Sequence, residues 1–171
     1  MSTGTEPINW DDAKDGQDFE TAIGGEAPVI LMADDDEDDQ MLVADALRQA
    51  GILNPLRFVS NGEELMSYLH RREGFASRPL APRPGLLLLD LNMPRKGGRE
   101  ALREIKADPS LRSIPVVVLT TSDMQDDVNL SYALGANSFI SKPVTFEGLV
   151  KSLQILGHYW FQVAQLPGAS R

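Results

Sequence analysis

Short apolar runs alternate with helical stripes along this chain. VILMA fills residues 29–33, LRFV 56–59, GLLLLDLNMP 85–94, IPVVVL 114–119 and SFIS 138–141. Four leucines at 86–89 run without a break, and such a run bounded by Pro and Gly marks a strand covered on both faces. Periodicity alone does not separate it from a buried helix segment. Pro84-Gly85 before it and Met93-Pro94 after it, however, leave too few residues for a typical helix. Between the runs the period changes. Met41, Leu42, Ala44, Leu47 and Ala50 recur at helical spacing up to Gly51, and Leu65, Met66 and Leu69 follow Ser60-Asn61-Gly62. Ala101, Leu102 and Ile105 stop at Asp108-Pro109; Val128, Leu130, Tyr132, Ala133 and Leu134 stop at Gly135; a last helix begins near Thr145. Residues 73–84, rich in Pro and Gly, read as a long surface loop. Five strands alternating with five helices predict an α/β fold. It is a doubly wound, five-stranded parallel sheet in the flavodoxin-like order 2-1-3-4-5, with right-handed crossovers and helices on both faces.

Composition narrows the classes. With 171 residues the chain suits one domain with a sizeable core, and without cysteine it has no disulfide framework, zinc–thiolate site or thiol chemistry. The net charge of −9 is uneven: residues 1–28 hold seven acids and one base, Lys14, for −6, which leaves −3 for the rest. Ile8, Trp10, Phe19 and Ile23 are scattered there without a period. Residues 1–27 therefore read as an acidic, disordered leader, 28–157 as the folded domain and 158–171 as a C-terminal helix extension and tail. No run reaches the roughly 18 apolar residues of a membrane span, the N-terminus has no secretory signal, and no basic cluster with interleaved aromatics marks a nucleic-acid surface. A cytoplasmic protein that engages neither membrane nor nucleic acid is expected.

Chemistry gathers at the strand ends. In the 2-1-3-4-5 order strands 1 and 3 are neighbours, so Asp34 and Asp35 meet Asp90, while Thr120 and Lys142 arrive on the same edge from strands 4 and 5. Taken singly, Asp90 is a turn-capping acid, Thr120 a strand end and Lys142 a surface lysine. Together they differ. Converging carboxylates repel and raise one another's pKa, and a hard cation such as Mg2+, which takes oxygen ligands and keeps several waters, is the usual remedy. Such an ion offsets charge on a phosphoryl oxygen, while Thr120 offers a hydroxyl and Lys142 an ammonium to two others. Asp90 is then placed as a nucleophile able to form an aspartyl phosphate. Asp36, Asp38 and Asp39 read as a solvated helix start, which the dipole favours. Asp34, Asp36 and Asp38 mimic a calcium loop, but its sixth and twelfth positions hold Asp39 and Asp45 rather than Gly and Glu. His70 and His158 lack ligand spacing, and Ser110, Ser122 and Ser131 have no partnered His for a hydrolase triad. Six acids after strand 1 would repel the phosphate of a flavin.

With these residues in place, the chain resembles the receiver domain of two-component response regulators over about residues 28–157. The resemblance rests on Asp34-Asp35 after strand 1, LLLDLNMP around Asp90, VLTTS around Thr120, and Phe139, Lys142 and Pro143 in Phe-x-x-Lys-Pro. The intervals of 30 residues from Asp90 to Thr120 and 22 from Thr120 to Lys142 are shared with that family. The segment before Gly85, the stretch GGREALREIKADPSLRSIPVVVLTTS and the ending HYWFQVAQLP are similar, more narrowly, to single-domain regulators paired with bacterial phytochrome histidine kinases. The resemblance implies that Asp90 accepts a phosphoryl group from a kinase phosphohistidine. It also implies that Asp34 or Asp35, Asp90 and the Asn92 carbonyl hold Mg2+, with Asp35 the more direct ligand. Thr120 and Lys142 then contact the phosphoryl group, and Phe139 is the aromatic that rotates with Thr120. Asn92 and Ser122 flank the site and tune hydrolysis, and Lys142-Pro143 is expected to be cis. Two departures stand out: Thr121 replaces a common Ala, and Asp36 lies near enough in sequence to compete for the metal.

The last helix adds a partner. Phe146, Leu149, Leu153, Leu156, Trp160 and Val163 form a seam at alternating intervals of three and four. Residues 145–164 as a helix would span about 30 Å, against about 20 Å for a six-residue strand. The end should overhang the sheet and expose Tyr159, Trp160, Phe161, Val163 and Leu166. A homodimer through Leu156, Tyr159, Trp160, Phe161, Val163 and Leu166 is one expectation; a segment folded back on its own domain is the other. Only 28 residues follow Pro143, too few for a nucleic-acid-reading module, so output through protein contact or competition for phosphate is expected. The functional expectation is a phosphorylation switch rather than a turnover enzyme. A Mg2+-dependent phosphatase or phosphotransferase with an Asp nucleophile is the alternative, disfavoured by Asn92 where such enzymes carry an acid. An unphosphorylated scaffold is disfavoured by the intact Asp90, Thr120 and Lys142.

Overall fold

Leu86–Leu89 forms the central strand because both of its faces are covered, as the unbroken leucines require. The computed structural model describes residues 27–71 and 81–168; the expected leader, but for residue 27, and most of the 73–84 loop lie outside the described residues. Five parallel strands, β1 (Ile30–Ala33), β2 (Leu56–Val59), β3 (Leu86–Leu89), β4 (Val116–Thr120) and β5 (Ser138–Ser141), lie in the order β2-β1-β3-β4-β5. They alternate with α1 (Glu37–Gln49), α2 (Gly62–Leu69), α3 (Gly98–Ala107), α4 (Gln125–Ala133) and α5 (Phe146–His158).

Side chains leave each strand on alternate faces, so the sheet divides the core in two. Ile30, Met32, Leu86, Leu88, Val117 and Leu119 pack with Val43 and Leu47 of α1 and Leu149, Leu153 and Leu156 of α5. Leu31, Ala33, Leu87, Leu89, Val116 and Val118 pack with Leu65 of α2 and Ala101, Leu102 and Ile105 of α3. Each buried leucine of this kind is worth about 1.5–3 kcal/mol.

Three helices differ from the expected faces. The α1 stripe is displaced: Val43, Ala44, Ala46 and Leu47 are buried, whereas Met41 and Leu42 face outward. Its period was legible, but its phase follows the sheet it lies on. In α4, Leu130 and Tyr132 are exposed and only Ser131 is buried, its hydroxyl donating to the Asp127 carbonyl at 2.7 Å. The edge strand β5 gives α4 little to cover, and none of its own residues is fully buried. The α5 seam holds through Leu149, Leu153 and Leu156, but Tyr159–Val163 continues as a π-helical turn, closed by the Ala164 amide donating to the Tyr159 carbonyl at 2.7 Å. A turn of i→i+5 bonds is wider than an α turn. It rotates the stripe, so Val163 faces solvent while Trp160 and Phe161 pack on the α1/α5 core.

The expected cis bond is also corrected: among the described residues no peptide is cis, so Lys142–Pro143 is trans, the lower-energy isomer. The Lys142 amide still donates to the Thr120 carbonyl at 2.7 Å.

Gly98 opens α3 against the end of β3, where its amide donates to the Leu91 carbonyl at 3.0 Å. A Cβ there would lie 2.1 Å from the Asp90 carbonyl oxygen, which is backbone and cannot swing aside. Gly98→Ala is expected to lower the unfolding free energy by about 2–3 kcal/mol, read from the urea midpoint. Gly168→Ala, with nothing within 4 Å of the added carbon, is expected to leave the midpoint unchanged.

Candidate functional site

The register of the sheet assembles the site. Ala33 pairs with Leu89, so the residues that follow them, Asp34 and Asp90, leave neighbouring strands side by side. Thr120 pairs with Ser141 at the end of β4 and β5, which places Lys142 one residue beyond. Asp34 is fully buried, Asp90 is buried and Asp35 is exposed. One carboxylate oxygen from each of the three lies within 4.8 Å of the others.

Lys142 closes the cluster. Its Nζ lies 2.7 Å from Asp34 Oδ2, 2.8 Å from Asp39 Oδ2 and 3.9 Å from Asp90 Oδ2. Burial pushes the ammonium toward its neutral form, but the bonds to Asp34 and Asp39 and the charges of Asp34 and Asp90 outweigh this and hold its pKa above the usual lysine range. Burial raises the Asp34 carboxyl, and the Asp90 charge adds to it; the bond from Lys142 and the Asp36 amide act against the rise without offsetting it. Lys142 keeps its proton, and its bond to Asp34 does not make up for what that carboxylate loses by burial.

The other expected residues divide. Asp36 is committed to the helix: its Oδ1 accepts the amides of Asp38 at 2.9 Å and Asp39 at 3.3 Å as the α1 N-cap. Asp39, expected to be solvated, instead pairs with Lys142. Nothing in the sequence signals this beyond its place one turn into a helix that starts at the site. Gln40 was likewise missed, and its Nε2 donates to the Asp34 carbonyl at 2.6 Å. Asn92 is exposed, and its amide donates to Asp90 Oδ1 at 3.4 Å. Thr120 Oγ1 is fully buried and has no hydrogen-bond partner among the described residues, an unmet capacity that a phosphoryl oxygen would satisfy. Phe139 is half-buried against the α2/α3 core. Ser122 donates to Asp127 Oδ2 at 2.6 Å, and Arg99 Nη2 donates to the other oxygen at 2.5 Å. Sequence reasoning had assigned Asp127 and Arg99 no role. His70 faces Asp108 at 3.6 Å and His158 faces Gln162 at 3.0 Å, and neither belongs to the Asp34–Asp35–Asp90 group.

The expected interface residues also divide. Leu156 is buried in the core, Trp160, Phe161 and Leu166 are half-buried, and only Tyr159 and Val163 of that set are exposed, 52% and 62%. Ile155, also 62% exposed, continues them into a strip at i, i+4, i+8. The Leu166 side chain turns back toward Gly85.

The model of the response regulator receiver domain matches residues 30–154. The chain belongs to that family. It is 40% identical over 141 residues to response regulator Rcp1 of Synechocystis sp., covering 82% of this chain and 94% of that one. A structure of the Mn(2+)-bound form of Rcp1 superposes with a TM-score of 0.75 over 82% of this chain and 99% of that one, at 40% identity. The phosphorylated cyanobacterial phytochrome response regulator RcpA gives 0.77, at 39% identity over 83% and 99% of the two chains. Response regulator RPA3017, from red light signaling of R. palustris, gives 0.78, at 36% identity over 82% and 99%. This receiver domain is therefore a signalling regulator related to the phytochrome response regulators, and its strand order is the expected one. Among the described residues no helix is long and apolar enough to cross a membrane.

The Ser122–Asp127–Arg99 group predicts a pH dependence. The bond from Ser122, then that from Arg99, lowers the Asp127 pKa below its usual 3.8. A carboxylate depressed on folding adds stability that is full above the unfolded pKa and is lost as pH falls through the folded one. The stability difference between the native chain and Asp127→Asn should thus be constant above about pH 5 and shrink below about pH 4, followed by urea unfolding across that range.

Proposed function

We propose that this receiver domain accepts a phosphoryl group on Asp90 from a sensor histidine kinase, a bacterial phytochrome by the kinship of its relatives. The observation that carries the reading is the convergence of Asp34, Asp35 and Asp90 oxygens within 4.8 Å beside Lys142. The donor set is hard oxygen, as Mg2+ prefers, and Asp34, Asp35, Asp90 and the Asn92 carbonyl would hold the ion. Once bound, the ion would offset charge on one phosphoryl oxygen.

The rest is done by the chain's own groups. An Asp90 oxygen attacks phosphorus, the bond to the donor nitrogen breaks, and the imidazole keeps the electron pair. Lys142 neutralises a second phosphoryl oxygen, and the Thr120 hydroxyl turns to a third. Phe139 follows into the space that Thr120 vacates. Turnover is not the purpose. Asn92 supplies no acid two residues after Asp90, and the Ser122 hydroxyl is engaged by Asp127 rather than free to order a water. The receiver assists its own phosphorylation and slow hydrolysis and passes on a conformational signal. This reading takes the exchange to occur in the cytoplasm.

A second copy is the other partner. Ile155, Tyr159 and Val163 present an apolar strip at the end of α5, with Trp160 beneath it meeting the Tyr159 ring edge-on at 5.0 Å. This supports a symmetric homodimer through the end of α5 and the tail, on a narrower face than the six expected residues.

Acetyl phosphate with and without Mg2+, read by intact mass and light scattering together, tests both halves. The native chain is expected to gain one phosphoryl group only with Mg2+, and Asp90→Asn to gain none. Native protein at micromolar concentration is expected to scatter as a dimer, and the Tyr159→Asp, Val163→Asp variant as a monomer. Continuous phosphate release would favour a phosphatase, and a monomeric native chain would remove the dimer.

A further inference from the structure

We infer that Asp39 is a positioning residue for phosphoryl transfer, holding the Lys142 ammonium at the Asp90 edge of the site when Asp34 turns to a metal ion. The inference rests on the reading of Asp90 as phosphoryl acceptor and names a residue which that reading does not require.

Lys142 is tied at three points. Its amide donates to the Thr120 carbonyl at 2.7 Å, and its ammonium meets Asp34 and Asp39 at 2.7 and 2.8 Å. The two acids differ in what else they must do. Asp34 already accepts the Asp36 amide on Oδ1 at 2.9 Å and belongs to the group of oxygens, with Asp35 and Asp90, that could hold a cation. Asp39 lies outside that group. A divalent ion held by the Asp34 carboxylate would compete with Lys142 for its lone pairs and would repel the ammonium at short range. With Asp34 as its only side-chain hydrogen-bond partner and Asp90 3.9 Å away, a four-carbon lysine stem would then be free to swing away.

Asp39 prevents this from a rigid base. It is the third residue of α1, whose start is fixed by the Asp36 cap and by Gln40 donating to the Asp34 carbonyl. Farther along, Val43, Ala44 and Leu47 lock α1 to the sheet. An ammonium kept on Asp39 remains within a short movement of Asp90, now 3.9 Å away. When Asp90 attacks acetyl phosphate, the bond from phosphorus to the acetate oxygen breaks and acetate leaves with the electron pair. The charge left on the phosphoryl oxygens is what the placed ammonium meets. Asp39 touches none of the reacting atoms and acts only through Lys142.

The test measures the rate of phosphoryl gain from acetyl phosphate, by intact mass, as Mg2+ is titrated. It compares the native chain with Asp39→Asn, Asp39→Glu, Lys142→Gln and the double variant Asp39→Asn, Lys142→Gln. The rate of Asp39→Asn at saturating Mg2+ is expected to fall about tenfold, with the half-saturating Mg2+ moving less than about threefold. Asp39→Glu, which keeps the charge, should recover most of the rate, and Asp39→Asn should add nothing to Lys142→Gln. In metal-free protein the two substitutions should be non-additive in the urea midpoint. A faster Asp39→Asn, a change confined to half-saturation, an unchanged rate, or additive effects would overturn the assignment. No phosphoryl gain in the native chain would overturn the Asp90 reading itself and this inference with it.

Discussion

One ammonium set among four carboxylates constrains the carboxyl edge of this sheet. Two like charges about 4 Å apart cost about 4 kcal/mol at the permittivity of a partly wet protein site, so Asp34, Asp35 and Asp90 would not gather without something to hold them. The parallel register forces the gathering: Ala33 opposite Leu89 delivers Asp34 beside Asp90 whether or not they repel. Lys142, delivered by β5, offsets part of the repulsion, while burial, with a smaller push from the Asp90 charge, still raises the Asp34 carboxyl. A rigid core of leucines and valines below holds this unfavourable edge in place. The same crowding of negative charge is what the proposed cation would relieve.

Much of this was legible in the sequence, for identifiable reasons. The Pro and Gly that bound Leu86–Leu89 favoured a strand over a buried helix segment, strand–helix alternation pointed to the doubly wound order, and the positions of Asp34, Asp90, Thr120 and Lys142 followed from it. Phase was less legible than period. Met41 and Leu42 have the right residue type for a core and lie outside it, because the sheet beneath α1 selects Val43 and Leu47 instead. Partners between charged groups were not legible at all. Asp36, Asp38 and Asp39 look alike in sequence, and only the helix geometry gives Asp36 to the cap and Asp39 to Lys142. Nor does any spacing tie Arg99 to Asp127 across 28 positions.

The C-terminal end shows how one irregular turn redirects a surface. A continuous α-helix would carry its seam through Trp160 to Val163 on one side. The π-helical turn at Tyr159–Val163 breaks that continuity, folds Trp160 and Phe161 onto the core and leaves Ile155, Tyr159 and Val163 outside. The carboxylate edge and this strip are joined through α5 itself, whose first turn follows Lys142 by four residues and whose last turn leads into the strip.

The most direct measurement is calorimetric titration of the metal-free protein with Mg2+, on the native chain and on Asp35→Asn and Glu37→Gln. The account predicts one site in the native chain, retained in Glu37→Gln and lost in Asp35→Asn. Binding that survives unchanged in Asp35→Asn would contradict it, because the converging carboxylates would then not be what receives the ion.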